Sequence, residues 1–407
     1  MVKILGRATR EGTNRYQEQY QEKCHAEHFQ ETNEFITSSI GIGTYLGEAD
    51  PQTDALVTRA VIESVFHGVN LIDSAISYRY QQGERSVAQA IHHLINSGKV
   101  SRDELIICSK AGAIAENTPQ YLNWFSQHYI NSISSKISPG DLIKNYSNYY
   151  CIHPEYLRDQ INLSLENLEL ETIDIYYVHN PEKQLIQIGR ETLYERLEAA
   201  FEVIEDQVSQ GKIGAYGVAT WDGFRVLPDS QEHINLERIK SIAQKVAGNK
   251  PDSFKFIQFP LNLAMPEAIL TPTQKVGNET MTLLKACARL NIHPISSASI
   301  YRGAIEGKIP GTMSAILGEN LTTDCQRALQ YVRSTPGLLS ALVGMKSPDH
   351  VAENLSVANH SLLEPEQFMK LNDSVLEISN NVNNNNWTLN LSNLYSSVTE
   401  FLKSLVK

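Results

Sequence analysis

Short apolar runs alternate with longer stretches in which apolar residues recur every three or four positions along most of the chain. The short runs are typical of buried strands, and the longer stretches are typical of amphipathic helices. The predicted strands are 38–47, 69–74, 105–110, 173–179, 212–220, 254–262, 292–298 and 338–344. The predicted helices between them are 51–67, 84–95, 154–168, 191–210, 239–246, 281–290 and 325–333.

This alternation predicts a mostly parallel sheet with helices packed against it, and eight strands of this kind close naturally into a (β/α)8 TIM barrel. The alternative is a doubly wound open sheet. Against that alternative, no G-x-G-x-x-G turn follows the first predicted strand, so the dinucleotide fingerprint of the open fold is missing. We therefore predict an α/β barrel with a long insertion after its third strand and a C-terminal helical extension.

The same pattern divides the chain. Residues 1–36 are polar and weakly patterned, with room for a short hairpin, and 37–360 form the predicted barrel. Within it, 112–153 is an insertion rich in aromatic residues, which favours an ordered cap over a floppy loop. In the C-terminal extension, 361–407, an asparagine-rich stretch at 378–386 predicts a flexible linker, and the apolar spacing beyond it predicts a terminal helix.

Composition narrows the class of protein. A chain of 407 residues with 42% hydrophobic content can bury a large core, and a net charge of -11 disfavours nucleic acid and anionic membranes as partners. The five cysteines form no CxxC pair and no ligand cluster with histidine, so we expect no metal. The first residues lack an apolar signal region, and no run is long enough to span a membrane, so we expect a soluble cytoplasmic protein. The number of subunits is left open.

Polar residues stand at or just past the ends of the predicted strands, where loops converge on the mouth of a parallel barrel. They are Asp73, Lys110, His179, Thr220, Gln258, Ser296 and Lys346. Tyr78 follows Asp73 by five positions and is placed to lean over the same mouth. We therefore expect Asp73, Tyr78, Lys110 and His179 to lie close together.

These four groups suit the donation of a proton to an oxygen atom. A tyrosine with a pKa of about 10 is a poor donor at neutral pH unless a nearby cation favours its phenolate. Lys110 is that cation, and Asp73 would hold it in place. His179 could hydrogen-bond a carbonyl oxygen or share the proton relay. Such a site suits the reduction of a carbonyl group, with a nicotinamide cofactor as the hydride source.

The chain also resembles the aldo-keto reductase superfamily. The segments that carry the resemblance occur in order between about residues 38 and 358 as GIGTYLG, LIDSAISY, CSKAG, YYVHNP, GAYGVATW, FIQFPLN and LVGMKSPDHVAENL. The resemblance implies a (β/α)8 barrel with NADP(H) across its mouth. It also implies that Tyr78 is the general acid and that Asp73, Lys110 and His179 complete a catalytic tetrad.

The resemblance further implies which residues contact the cofactor. Thr44 and Tyr45 match contacts of the first loop, and Asn180, Thr220 and Gln258 match the contacts to the carboxamide. Lys346 and Ser347 match the residues that bind the 2'-phosphate. Glu353 and Asn354 match the adenine contacts. Ser296, at the end of the seventh strand, joins this candidate set. A lysine beside a hydroxyl at a helix start suits a phosphate monoester, which favours NADPH over NADH.

Three positions depart from the family pattern. His350 stands where many members have a second cation for the phosphate, which weakens the expected preference for NADPH. Ala219 replaces the serine before Thr220, and Ser297 stands where many members have the tyrosine that stacks on nicotinamide, with Tyr301 nearby. We keep His350 among the candidate cofactor contacts.

The leading expectation is an NADPH-dependent oxidoreductase that reduces an aldehyde or ketone, with a small carbonyl compound as its substrate. The same tetrad can run in reverse as an NADP-dependent alcohol or sugar dehydrogenase. A third alternative, in another class, is a regulatory protein that uses the same barrel to sense the nucleotide, with the tail helix docking a partner. If the protein bound NADPH tightly but oxidised it with no carbonyl compound in a broad panel, that third alternative would be favoured.

Overall fold

The computed structural model describes residues 3–318 and 320–384. In chain order, strands β1 to β14 are Phe29–Glu31, Ile36–Ser38, Ile40–Gly43, Leu71–Asp73, Ile106–Ala111, Ile143–Asn145, Asn148–Tyr150, Ile173–His179, Ile213–Ala219, Phe254–Pro260, Gln274–Val276, Glu279–Met281, His293–Ser297 and Ser340–Gly344. Helices α1 to α13 are Arg10–Tyr20, Pro51–Phe66, Gln82–Asn96, Pro119–Phe125, Pro154–Asn167, Arg190–Ser209, Leu236–Ala247, Glu267–Leu270, Leu283–Leu290, Gly311–Leu317, Asp324–Arg333, Pro348–Leu355 and Pro365–Asn384.

Eight of the strands form a closed barrel in the order β3, β4, β5, β8, β9, β10, β13, β14, and every neighbouring pair is parallel. The predicted (β/α)8 barrel is therefore confirmed, and the open doubly wound sheet is excluded. Because all strands run the same way, their carboxyl ends share one face of the barrel. That face carries the polar residues singled out in the sequence.

The inside of the barrel is filled by side chains. Leu71, Ile106, Ile175, Tyr177 and Phe256 belong to one buried apolar cluster in the interior. The larger cluster lies between the strands and the surrounding helices, where the apolar faces of the helices are buried. A filled interior leaves the mouth of the barrel as the place for a ligand.

The segment before the barrel packs against it. Strands β1 and β2 pair antiparallel, and helix α1 buries Tyr16, whose hydroxyl donates to the Val65 carbonyl. The sequence predicts room for a hairpin here but does not predict the helix, because the helix is mostly polar and buries only two aromatic rings. Across the described residues, no helix is both long enough and apolar enough to cross a membrane.

The insertion at 112–153 is ordered and has a small core of its own. Helix α4 and the β6/β7 hairpin lie within it, and Ile114, Phe125 and Tyr129 pack together with Tyr156 of α5. Arg196 of α6 donates to a carbonyl of the insertion at 2.9 Å, which ties it to the barrel wall. The insertion is thus held beside the barrel mouth.

The C-terminal extension differs from the prediction where the two can be compared. The asparagine-rich stretch 378–386 is helical as far as Asn384, at the end of α13, instead of forming a linker throughout. The helix is anchored at its start, where Phe368 and Leu371 are buried and Phe368 stacks on Tyr331 at 5.3 Å. The predicted helix beyond residue 386 lies outside the described residues.

Candidate active site

Four polar side chains meet at the mouth of the barrel. Asp73 ends β4, Lys110 lies near the end of β5, His179 ends β8, and Tyr78 lies in the loop after β4. Lys110 Nζ donates to Asp73 Oδ2 at 2.6 Å and lies 3.1 Å from the Tyr78 hydroxyl. The rings of Tyr78 and His179 are 5.9 Å apart at 74°. The structure therefore brings together all four residues of the predicted tetrad.

Lys110 is fully buried, and its partners keep it charged. Burial lowers the pKa of the ammonium group, but Asp73 and Tyr78 together raise it by more. The pKa of Lys110 therefore lies above its ordinary value. Lys110 Nζ also donates to the Ser74 carbonyl at 2.9 Å. A buried cation satisfied by a carboxylate, a carbonyl and a hydroxyl stays protonated at neutral pH.

Tyr78 behaves differently from the expectation based on its lysine neighbour alone. Burial raises the pKa of the phenol, Lys110 lowers it, and Asp73 raises it again, so that the pKa lies above its ordinary value. The expected stabilisation of the phenolate is present but is outweighed by burial. Tyr78 is consequently a neutral phenol at physiological pH and carries a proton to give.

His179 is held neutral. Burial, reinforced by the positive charge of Lys110, lowers the pKa of the imidazole to about 3. Its Nδ1 atom is buried and makes no hydrogen bond to any described residue. A neutral imidazole has one N–H to donate, so His179 can bind an oxygen atom placed beside Tyr78 without itself supplying a charge.

A second set of contacts fixes the carboxylate beneath the tyrosine. Gln258 Nε2 donates to Asp73 Oδ1 at 2.9 Å, which leaves Oδ2 to Lys110. The Thr44 hydroxyl donates to the Asp73 carbonyl at 3.1 Å and lies 2.9 Å from the Ser74 hydroxyl. Both carboxylate oxygens are therefore occupied, and Asp73 is positioned as the partner of Lys110.

A cavity of about 1370 Å³ opens above the tetrad and extends across the barrel mouth. Of the predicted site residues, those that line it are Tyr45, Asp73, Tyr78, His179, Asn180, Thr220, Gln258, Lys346, His350, Glu353 and Asn354. Those that do not line it are Thr44, Lys110, Ser296 and Ser347. The cavity thus has a tetrad end and, past β14, an end formed by Lys346, Glu353 and Asn354.

The hydroxyl groups that do not line the cavity have other partners. Ser296 is buried, and its hydroxyl lies 3.1 Å from that of Ser299. Ser347 precedes α12 and accepts a hydrogen bond from the His350 backbone N–H at 3.3 Å. Together with Thr44, these residues shape the backbone around the cavity.

Unpaired polar atoms indicate that the cavity is built for a polar ligand. Thr220 Oγ1 and Asn354 Oδ1 are buried and have no hydrogen-bond partner among the described residues. A Cβ atom built on Gly47 would lie 2.8 Å from Lys346 Nζ, so this ammonium group reaches across to the loop after β3. The hydroxyl, amide and ammonium groups are distributed along this one cavity, and such a distribution fits a nicotinamide dinucleotide.

Several residues of the cavity wall are not among the predicted site residues. Trp221 lines it directly after Thr220, Tyr149 and Tyr150 enter it from β7, and Arg302 enters it from the loop after β13. Their roles follow from where the loops fold, and neither strand ends nor periodicity signal them. Ser297 lines the cavity as the sequence suggests, whereas Tyr301 is not among the lining residues.

A family model described as "Aldo/keto reductase family" matches residues 39–237, which hold the tetrad. The part of the chain that holds the tetrad belongs to the aldo/keto reductase family. Members of this family are NAD(P)H-dependent oxidoreductases, and the predicted family and enzyme class are thereby confirmed.

Several known aldo-keto reductases are similar over most of their length. The NADH-specific methylglyoxal reductase of Escherichia coli (strain K12) is 23% identical over 349 residues, covering 81% of this chain and 93% of the relative. The glycerol dehydrogenase of Gluconobacter oxydans superimposes with a TM-score of 0.58 at 17% identity, covering 86% of this chain and 95% of the other. An aldo/keto reductase of Klebsiella pneumoniae, solved with NADP and acetate, gives 0.54 at 18% identity, with coverages of 84% and 93%. These two structural likenesses show the shared fold.

Proposed function

We propose that this aldo-keto reductase reduces an aldehyde or ketone with NADPH and that Tyr78 is the general acid. The observation that carries the proposal is the contact of the Tyr78 hydroxyl with buried Lys110, at 3.1 Å, on the floor of the cavity. A phenol beside a fixed cation can release its proton while its charge is compensated. The NADP complex of the Klebsiella relative supports a nicotinamide cofactor.

The reaction divides the work among the four residues. NADPH, when bound, would supply a hydride for the carbonyl carbon. The Tyr78 hydroxyl donates its proton to the carbonyl oxygen as negative charge grows there, and Lys110 compensates the phenolate that remains. Asp73 holds Lys110 at 2.6 Å, and neutral His179 donates a hydrogen bond that orients the carbonyl oxygen toward Tyr78.

The cofactor is proposed to lie in the cavity and to extend from the tetrad to the end of β14. Asn180, Thr220 and Gln258 lie at the tetrad end, where carboxamide contacts are needed. Lys346 supplies the positive charge for the 2'-phosphate, supported by Ser347 at the start of α12, and Glu353 and Asn354 lie where adenine would bind. Exposed His350 is the weaker second cation of that clamp.

The insertion is proposed to select the substrate. Ile114 and Asn117 line the cavity from the start of the insertion, and Tyr149 and Tyr150 line it from β7. Asn145 Nδ2 donates to the Lys183 carbonyl at 2.9 Å, which fixes the hairpin against the loop after β8. An aromatic wall that is fixed in this way, beside the nicotinamide end of the cavity, favours substrates with an apolar body.

Cofactor choice is a direct test of this function. Oxidation of NADPH and of NADH is measured with a panel of carbonyl compounds that includes methylglyoxal, the substrate named for the Escherichia coli relative. We expect kcat/KM for NADPH to exceed that for NADH by at least about tenfold, because the clamp recognises a phosphate that NADH lacks. Lys346→Gln should remove most of this preference.

Equal use of both cofactors by the unmodified protein would contradict the assignment of Lys346. Faster turnover of alcohols with NADP+ than of carbonyls with NADPH would favour the dehydrogenase direction. Tight NADPH binding with no oxidation by any carbonyl would favour a nucleotide sensor, the alternative that the same barrel allows.

The pH dependence provides a separate prediction. With NADPH saturating, we expect kcat/KM for the carbonyl substrate to stay constant between about pH 5 and about pH 9. His179, with its pKa lowered to about 3, remains neutral over this range, and Tyr78, with its pKa raised, remains protonated. Because Tyr78 acts as an acid, the rate should fall only when the pH rises through its pKa. A titration near pH 6.5, or a decline starting below pH 8.5, would contradict these protonation states.

A further inference from the structure

An exposed arginine crosses the mouth of the barrel. The Arg302 guanidinium carbon lies 5.3 Å from the centre of the Tyr45 ring and 5.8 Å from the centre of the Trp221 ring. Tyr45 follows β3 and Trp221 follows β9, which are four strands apart in the barrel of eight and so lie on opposite sides of the mouth. The charge of Arg302 is thus placed over the cavity by two aromatic rings.

The loop that carries Arg302 adopts an unusual backbone conformation. Ala298, Tyr301 and Arg302 have φ angles of 55°, 49° and 55°, in the left-handed region that side chains other than glycine rarely adopt. A strained backbone of this kind persists where the surrounding structure or a function requires it. Here the strained residues lie in the loop that places Arg302 at the cavity.

No carboxylate of the described residues neutralises this charge. Arg302 takes part in none of the ion pairs within 4.0 Å formed by residues 3–318 and 320–384. Glu306, on the same loop, lines the cavity but accepts a hydrogen bond from the Cys325 backbone N–H at 3.2 Å. The guanidinium group keeps its donors available to a ligand.

Arg302 belongs to the tetrad end of the cavity. Its neighbour Tyr45 is in edge contact with Tyr78, with ring centres 5.0 Å apart, so one aromatic ring separates the cation from the proton donor. Its other neighbour, Trp221, directly follows Thr220. The opposite end has its own cation, Lys346, for the phosphate of the cofactor.

We propose that Arg302 binds a carboxylate on the substrate, so that the enzyme prefers carbonyl compounds that carry a carboxylate at the end remote from the reacting carbonyl. This inference rests on the reductase function proposed above. The carbonyl oxygen faces Tyr78 and His179, and the body of the substrate rises past Tyr45. At the cavity mouth, the guanidinium group of Arg302 donates two parallel hydrogen bonds to the substrate carboxylate and so fixes its orientation.

The test uses two aldehydes that differ in charge and share the same ring, 4-formylbenzoate and methyl 4-formylbenzoate. Arg302→Gln is expected to lower kcat/KM for the carboxylate at least about tenfold, since a charge-assisted hydrogen bond is lost. For the ester, kcat/KM should change by less than about twofold, and the Kd of NADP+ should be unchanged. Arg158→Gln, the same change at an exposed arginine of α5 that does not line this cavity, is the matched control.

Calorimetry separates this proposal from the function on which it rests. Titration of 4-formylbenzoate into the protein saturated with NADP+ measures binding without turnover, and Arg302→Gln should raise its Kd by a similar factor. Binding that depends on Arg302 supports the anion site even if no carbonyl is reduced. An equal loss for acid and ester, or weaker NADP+ binding in Arg302→Gln, would overturn the proposal and assign Arg302 to the cofactor.

Discussion

Replacing Tyr78 with phenylalanine is expected to lower kcat for carbonyl reduction by about 10²- to 10⁴-fold while leaving the Kd of NADPH within about twofold. The change removes the hydroxyl group 3.1 Å from Lys110 and keeps the ring, whose centre lies 4.6 Å from the lysine ammonium. The aromatic contact with Tyr45 is also kept. Single-turnover kinetics and fluorescence titration with NADPH measure the two quantities separately.

Tyr146→Phe is the matched control for this experiment. Tyr146 lies at the tip of the β6/β7 hairpin, is 81% exposed and does not line the cavity, so the same loss of a hydroxyl should leave kcat unchanged. If Tyr78→Phe retained turnover comparable to that of Tyr146→Phe, Tyr78 would not be the proton donor. Loss of turnover together with loss of NADPH binding would point instead to a disturbed cavity.

Replacing Lys110 with methionine is expected to affect both stability and catalysis. Asp73 would be left as a buried carboxylate without its cation, which typically costs about 3–5 kcal/mol of unfolding free energy. Turnover should also fall by at least about a hundredfold, because the phenolate formed at Tyr78 would lose its compensating charge. Chemical denaturation and steady-state kinetics measure the two losses.

The double variant Asp73→Asn/Lys110→Met separates the two effects. An amide in place of the carboxylate removes the unpaired charge, so the unfolding free energy should recover in large part. Catalysis should not recover, because the cation beside Tyr78 is still missing. A single Lys110→Met variant as stable as the unmodified protein would show that the buried pair is not the constraint that its geometry indicates.

The fold was largely predictable because its signal is repeated. Eight apolar runs recur along the chain, and each of them forms a barrel strand within a few residues of its expected bounds. The parallel arrangement then made the strand ends neighbours, so Asp73, Lys110 and His179 could be grouped without coordinates. Helix α1 escaped prediction, because a mostly polar helix held by Tyr16 and Tyr20 has little apolar periodicity.

The protonation states were not predictable in this way. The sequence places a lysine beside a tyrosine and suggests a lowered pKa for the phenol, but the extent of burial depends on everything packed around the two groups. In the structure burial outweighs Lys110, so that the pKa of Tyr78 is raised and that of His179 is lowered to about 3. Desolvation is a property of the folded surroundings, and no local motif encodes it.

The sequence by itself determined the barrel, the family and the four chemical groups, since these follow from periodicity and from the position of polar residues at strand ends. Tertiary structure decided what surrounds those groups. Only the folded loops show that Thr44 and Ser296 lie behind the cavity wall, that Tyr149 and Tyr150 form part of that wall, and that Arg302 crosses the mouth. The paths of the loops depend on long-range packing and on backbone conformations such as the positive φ of Arg302. These two factors produce no periodic pattern in the sequence, so the sequence does not predict them.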